Sequence, residues 1–156
     1  VAWLSAELAR PRTRKCCLHD RARLAGPRCA RSDLHIAAPA GSPAALALPP
    51  PAEGSAQVAE RIAAARAIQS RRYTDTDPRI RTNAEADGAL LEKVATPDAP
   101  GRTLLTEAAE RMKLSARGYH RVLRVARTLA DLAGEDAVRR IHVAEALSYR
   151  RIAPVG

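Results

Sequence analysis

Aromatic residues are almost absent from the sequence: of 156 residues none is Phe, one is Trp and three are Tyr. A large core built around aromatic anchors is therefore excluded, since these side chains supply the largest buried areas in such cores. No apolar run approaches the roughly 20 residues that a membrane-spanning helix needs. The opening stretch Val1–Ala6 is too short for a signal peptide and is soon followed by Arg10 and Pro11. These absences predict a protein with no membrane partner.

Cysteine is also scarce. The chain has three, of which Cys16 and Cys17 are adjacent and Cys29 stands alone. Three cysteines do not make a disulfide framework, so we expect a reducing, cytoplasmic location. No pair has the C-x-x-C spacing of a zinc site. We therefore predict no metal site and interpret the cysteines as free thiols and the four histidines as surface residues: His19, His35, His120 and His142.

Motifs of self-sufficient catalysis are missing as well. The sequence contains no G-x-x-x-x-G-K-[ST] loop, no G-x-S-x-G and no H-E-x-x-H. The lysine and the Mg²⁺-binding groups that position and neutralise the phosphates of ATP are therefore lacking. We expect the chain on its own to hydrolyse no ATP and to bind no cofactor.

Positive charge is what the sequence has in excess, with 26 Lys plus Arg against 17 Asp plus Glu and a net charge of +9. Most of it is Arg, which serves the phosphates of nucleic acids or nucleotides and acidic partner surfaces. Arg117, Arg121 and Arg124 fall at i, i+4 and i+7 on one face of a predicted helix. This arginine stripe has two interpretations, a phosphate-binding surface or a solvated face paired with carboxylates. Without interleaved aromatics, stacking on single-stranded nucleic acid is disfavoured.

The chain divides into three parts by composition. Residues 1–37 are Arg-rich and irregular, with one short predicted strand at Leu34–Ala37. Residues 38–54 form a Pro/Ala/Gly linker, in which three consecutive prolines favour an extended conformation. Residues 55–151 are predicted to be all-α. The predicted helices cover 55–73 with Ser55 as N-cap, 84–94, 103–112, 116–133 between an N-cap at Ser115 and Gly134, and 142–150.

Several segments of the helical part together resemble one known family. They are Ala64–Tyr73, Arg81–Ala84, Leu114–Gly134 and His142–Arg150. This combination is similar to the C-terminal domain of magnesium-chelatase-like AAA+ ATPases, and within them to the ComM-type subgroup of bacterial competence proteins. The similarity spans about residues 54–151. It implies a small helical bundle of the AAA+ lid type, which closes over ATP and Mg²⁺ bound to an αβ core.

The resemblance also implies roles for two arginines. Arg117, in the segment Ser-Ala-Arg-Gly, matches the sensor-2 arginine that contacts the γ-phosphate of ATP. A first-turn Arg adds its guanidinium to the positive end of the helix, which agrees with that role. Arg31 falls where the family has its arginine finger, although residues 23–35 keep only part of the surrounding motif. We interpret residues 1–37 as a partial remnant of the αβ core, since Walker A and Walker B are missing.

The leading functional hypothesis is therefore a lid, a nucleotide-sensing and oligomer-contact region of a ComM-type ATPase. Its partners would be the AAA+ core and neighbouring subunits of a ring homo-oligomer. The parent would act on DNA in natural transformation, or insert a metal into porphyrin as the chelatase proper does. A truncated or frameshifted gene would explain the missing core. The alternatives are a small basic helical DNA-binding protein and a non-functional remnant.

Overall fold

The structure of the protein is a computed structural model, which describes residues 32–36, 53–74, 76–77 and 79–150. The described residues from Asp33 onward belong to one compact unit. The predictions made for Arg31, for the three cysteines and His19, and for residues 38–52 of the linker lie outside the described residues.

The described part of the chain is helical, as predicted. Its five helices are α1 (Ser55–Thr74), α2 (Gly88–Ala95), α3 (Ala99–Arg111), α4 (Ala116–Leu132) and α5 (Arg140–Ser148). The predicted strand is wrong over Leu34–Ile36, where the N–H of His35 instead donates to the carbonyl of Tyr149 at 2.9 Å. Within the described ranges, no helix combines the length and the apolar character needed to cross a membrane.

The start of α1 differs by one residue from the prediction. Ser55 is the first helical residue rather than the N-cap, and the carbonyl of Gly54 accepts from the N–H of Val58. The N–H of Gly54 in turn donates to Oε1 of Gln57 at 2.6 Å. The second bond is the glutamine half of a capping box, in which the side chain at the third helical position accepts from the N–H of the capping residue.

Two further helix starts were mispredicted because aspartates cap them. Asp87 accepts from the N–H of Gly88 at 2.9 Å, so α2 begins there and residues 83–85 form a turn. Asp98 accepts from the N–H of Gly101 at 2.7 Å, so α3 begins one full turn before the predicted Thr103. Asp is among the preferred N-cap residues.

Helix α4 is the central element and matches its prediction. Its N-cap is Ser115, whose Oγ accepts from the N–H of Gly118 at 3.2 Å. At the other end Gly134 has φ +71°, the left-handed conformation that commonly ends a helix. Helix α4 packs against α1, α2 and α5, and α5 packs also against α3.

The core is built from small side chains. Among the described residues, the buried apolar cluster contains Tyr73 and otherwise only Ala, Val and Leu: Ala86, Leu91, Ala95, Leu105, Val122, Leu123, Ala126, Ala130, Val138, Val143, Ala146 and Leu147. Val122 and Ala126 of α4 belong to this cluster, and Val125 and Leu129 of the same helix pack against it from its edge. Small side chains let the helices approach closely, so added volume is poorly tolerated.

Neighbouring atoms pack tightly around Gly101, in the first turn of α3. A Cβ there would lie 2.7 Å from Oδ1 of Asp98, 3.0 Å from Cβ of Pro97 and 3.3 Å from the backbone N of Arg140. We expect Gly101→Ala to lower the free energy of unfolding by about 1–3 kcal/mol. The added methyl group would push the Asp98 carboxylate out of its capping position, and the Pro97 ring and the backbone of Arg140 leave little room for it. Urea unfolding followed by circular dichroism measures this.

Gly118→Ala is the matched control, since it adds the same methyl group in α4. Its nearest neighbours would lie at 3.6 Å, an ordinary contact distance. We expect it to leave stability unchanged or to raise it by up to about 1 kcal/mol, because Ala favours the helix over Gly. Equal stability of the Gly101→Ala variant and the wild type would contradict the tight contact between α3 and α5.

Candidate functional site

The first turn of α4 presents one arginine to solvent. Arg117 follows the Ser115 cap by two residues and its side chain is exposed. Within the described residues, it makes no hydrogen bond or ion pair. The helix N-terminus beside it carries partial positive charge from unpaired N–H groups. This turn is therefore suited to bind an anion.

The other two arginines of the stripe are engaged within the chain. Nε of Arg121 lies 3.2 Å from Oδ1 of Asp33. Nε of Arg124 donates to the carbonyl of Ala86 at 2.8 Å, and its Nη2 lies 3.2 Å from Oδ1 of Asp87. Their side chains are only 16% and 19% exposed. The two arginines thus bind neighbouring loops to α4, and Arg117 differs from both.

A buried ionic network at the opposite end of α4 was not predicted. Its centre is the Asp131 carboxylate, which is fully buried. Arg72 donates to both of its oxygens, at 2.9 and 2.5 Å, and Nδ2 of Asn83 donates at 2.7 Å. Nε of Arg127 donates at 3.1 Å. Burial would raise the pKa of Asp131, but the hydrogen bonds from Arg72 and Asn83 and the charge of Arg127 hold that pKa below its usual value.

Arg127 joins the network to the loop that follows α4 through hydrogen bonds. Its side chain is 2% exposed, and its Nη1 and Nη2 donate to the carbonyls of Asp136 and Glu135 at 2.6 and 2.5 Å. Burial lowers the pKa of Arg127, and the adjacent Asp131 charge works in the opposite direction. A buried arginine is tolerated here because its donors meet a carboxylate and two carbonyls.

Tyr73 and Asn83 complete the network. The hydroxyl of Tyr73 donates to Oδ1 of Asn83 at 2.8 Å, and burial raises the pKa of that hydroxyl. Nδ2 of Asn83 also contacts Oγ1 of Thr128 at 3.0 Å. The network therefore joins the end of α1, the turn at residue 83 and the end of α4. This network lies far from Arg117, because the 14 residues of helix between Arg117 and Asp131 span about 21 Å. It therefore orients α4 and does not contact a ligand bound at the first turn of that helix.

The histidines do not all lie at the surface. His142 is 5% exposed, and its Nδ1 accepts from the N–H of Arg139 at 3.0 Å, which caps α5. The prediction of a surface residue is therefore wrong for His142. Among the described residues, no group of three His, Cys, Asp or Glu side chains is placed to hold a metal ion.

Within the described ranges, these observations define a domain of five helices whose central helix is capped and bears an exposed arginine in its first turn. The sequence profile of one family, described as magnesium chelatase, subunit ChlI C-terminal, matches residues 52–150. The chain belongs to this family. The resemblance inferred from the motifs of α1, α4 and α5 is thereby confirmed.

Individual relatives agree with this assignment. The competence protein ComM of Haemophilus influenzae is 36% identical over 129 residues, which are 82% of this chain and 24% of the relative. The uncharacterized protein YifB of Escherichia coli is 34% identical over 131 residues, 83% of this chain and 25% of the relative. An uncharacterized protein of Mycobacterium tuberculosis is 41% identical over 99 residues, 64% of this chain and 19% of the relative. The chain thus spans a quarter or less of the length of these relatives.

Proposed function

We propose that residues 55–151 are the lid of an AAA+ ATPase and that Arg117 senses the γ-phosphate of ATP. The observation that carries the proposal is the contrast within the arginine stripe. Arg121 and Arg124 are bound to Asp33, Ala86 and Asp87, whereas the Arg117 guanidinium is exposed at the positive end of α4. An arginine fork adjoining free N–H groups is well suited to a phosphate.

The rest of the domain is consistent with a lid that holds α4 in place and presents Arg117 to a bound nucleotide. The Asp131 network fixes the far end of α4 against α1, while the first turn stays exposed. ATP supplies the phosphate, and Mg²⁺ would be held by a core, since the described residues offer no three-ligand cluster. The chain by itself is therefore proposed to lack ATPase activity.

The complete protein is proposed to be a cytoplasmic ring of identical subunits. Arg31 would act as the arginine finger toward a neighbouring subunit, residues 1–37 would belong to the core and residues 38–54 would link it to the lid. Similarity to a competence protein supports DNA as the substrate of the complete ring. The runner-up, a small DNA-binding protein, has the net charge of +9 in its favour. The arginine face it would use, however, is largely paired within the chain.

A chimera distinguishes the two proposals. Residues 52–150 would replace the matching segment of the Haemophilus influenzae ComM protein, and assembly would be followed by sedimentation with and without ATP. We expect ATP-dependent assembly of the chimera, and only weak DNA binding by the isolated chain. The lid proposal would be contradicted by two results together. Assembly of the chimera would be the same with and without ATP, and the isolated chain would bind DNA with an affinity that falls about 10³-fold or more between 50 and 200 mM salt.

A further inference from the structure

A basic groove lies on a different part of the domain from the first turn of α4. It has a volume of about 580 Å³ and runs between the second half of α1 and the turn that follows it. Its lining residues are Arg66, Ser70, Thr74, Ile80, Arg81 and Thr82. None of them contributes to the α4 first turn, so the groove is a separate candidate site.

The charge of the groove is positive. The Arg81 side chain is exposed and makes no hydrogen bond or ion pair within the described ranges. The guanidinium of Arg66 has one long hydrogen bond, at 3.4 Å, to Oε1 of Gln69, which leaves its other donors available. No carboxylate occurs among the described lining residues.

The carboxylate next to the groove is already engaged by backbone. Oε2 of Glu85 accepts from the N–H groups of Arg81 and Thr82, at 2.7 and 3.1 Å. These two bonds, and to a smaller extent the charge of Arg81, hold the pKa of Glu85 below its usual value. Glu85 thereby shapes the turn that presents the Arg81 side chain, and it does not line the groove.

One hydroxyl donor, that of Ser70, lines the groove with the two arginines, because the hydroxyls of Thr74 and Thr82 are engaged with Ser70 and Glu85. Ser70 and Thr74 lie one turn apart on α1, and Thr82 lies on the opposite element. The Thr74 hydroxyl donates to the carbonyl of Ser70 at 2.7 Å, so its oxygen keeps accepting capacity but no free proton. Ile80 packs against the hydrophobic core and so anchors the turn.

We propose that this groove binds a phosphate group of a phosphate-bearing ligand. Two guanidinium forks on separate elements, with the Ser70 hydroxyl lining the same groove, can approach the oxygens of a phosphate from more than one direction. A terminal phosphate of a nucleotide and a phosphodiester of a nucleic acid share this chemistry. The site does not require Arg117 and stands whether or not Arg117 senses ATP.

The test is a titration of the full chain with inorganic pyrophosphate at low salt, followed by the backbone amide NMR signals. We expect saturable shifts at Ser70, Arg81 and Thr82. Arg81→Gln is expected to weaken binding about tenfold or more, because a hydrogen bond to a charged group is removed. Absence of saturable shifts at these residues would overturn the proposal.

Arg79→Gln is the matched control, since it removes the same charge two positions away. Arg79 is ion-paired with Asp77 at 3.0 Å and does not line the groove. We expect it to change the affinity less than about twofold, in line with the small effect of an exposed charge. Equal losses in the Arg79 and Arg81 variants would show attraction to overall charge only, and would overturn the site.

Two further arms identify the ligand source and separate this proposal from the lid function. If Arg81→Gln weakens binding of a short oligonucleotide as well, and pyrophosphate competes with it, the site takes phosphodiesters. If Arg81→Gln weakens the binding of pyrophosphate but not that of the oligonucleotide, the site takes terminal phosphates. If Arg117→Gln abolishes pyrophosphate binding and Arg81→Gln does not, the phosphate binds at α4 and the groove proposal is wrong.

Discussion

Asp131→Ala is expected to destabilise the domain by about 3–5 kcal/mol, the largest single effect on its stability. The substitution leaves the guanidinium groups of Arg72 and Arg127 without their shared carboxylate. Removing one partner of a buried ion pair strands the other charge in a poorly solvated place, which costs far more than the pair itself contributes. Urea unfolding followed by circular dichroism gives the difference in free energy.

Asp33→Ala is the control for this substitution. It also removes a carboxylate paired with an arginine of α4, but the Asp33 side chain is 41% exposed and its partner is Arg121. We expect a loss below about 1 kcal/mol, as for other exposed pairs. A comparable loss in the two variants would show that the Asp131 network does not hold α1 and α4 together.

Lowering the pH is expected to weaken the same Asp131 network. The pKa of Asp131 lies below its ordinary value of 3.8 in the folded protein, so its contribution to stability is complete above that value. The contribution is lost as the pH falls through the lowered folded pKa, because the unfolded chain takes up the proton first. The loss of stability below about pH 4 should therefore be smaller in the Asp131→Ala variant than in the wild type.

Arg117→Ala is expected to reduce ATP turnover of the complete ATPase roughly 10- to 100-fold while leaving the lid folded. A charged hydrogen bond to phosphate contributes about 1.5–3 kcal/mol, which corresponds to that factor in rate. The lid should stay folded because the exposed Arg117 side chain makes no hydrogen bond or ion pair within the described part of the chain. Steady-state turnover of the ComM chimera, with helicity checked by circular dichroism, measures the effect.

Arg140→Ala is a better control than a substitution in the stripe. Arg140 is an exposed arginine in the first turn of α5, whereas Arg124 binds Ala86 and Asp87, so its loss would disturb the fold. We expect the Arg140 variant to retain turnover within about twofold. A loss as large as that of Arg117→Ala would point to a general requirement for positive charge and against a phosphate sensor.

The parts of the fold that could be predicted are those set by neighbouring residues. Ser115, the apolar period of α4 and Gly134 lie within 20 residues of one another, and together they determine that helix. The starts of α2 and α3 follow the same local logic, because Asp87 and Asp98 cap them and lie beside the residues they cap. The pattern of helix caps thus carries more information than the apolar spacing alone.

The ionic network could not be predicted because its partners are distant in sequence. Arg72 and Asp131 are 59 residues apart, and nothing in their local pattern distinguishes them from surface charges. The i, i+4 spacing of Arg127 and Asp131 was the available local signal, yet it occurs equally on exposed helix faces. For the same reason, the sequence could not distinguish the exposed Arg117 from Arg121 and Arg124, whose partners are distant in sequence.

The proposed role of Arg117 is tested most directly by the ratio of the affinities of the chimera for ATP and ADP. A γ-phosphate sensor predicts that Arg117→Ala weakens ATP binding about 10- to 100-fold and leaves ADP binding unchanged, because ADP has no γ-phosphate to contact. Calorimetric titration of the wild-type and Arg117→Ala chimeras with a non-hydrolysable ATP analogue and with ADP gives both values. Equal losses for the two nucleotides, or no loss for either, would contradict a lid that senses the γ-phosphate through Arg117.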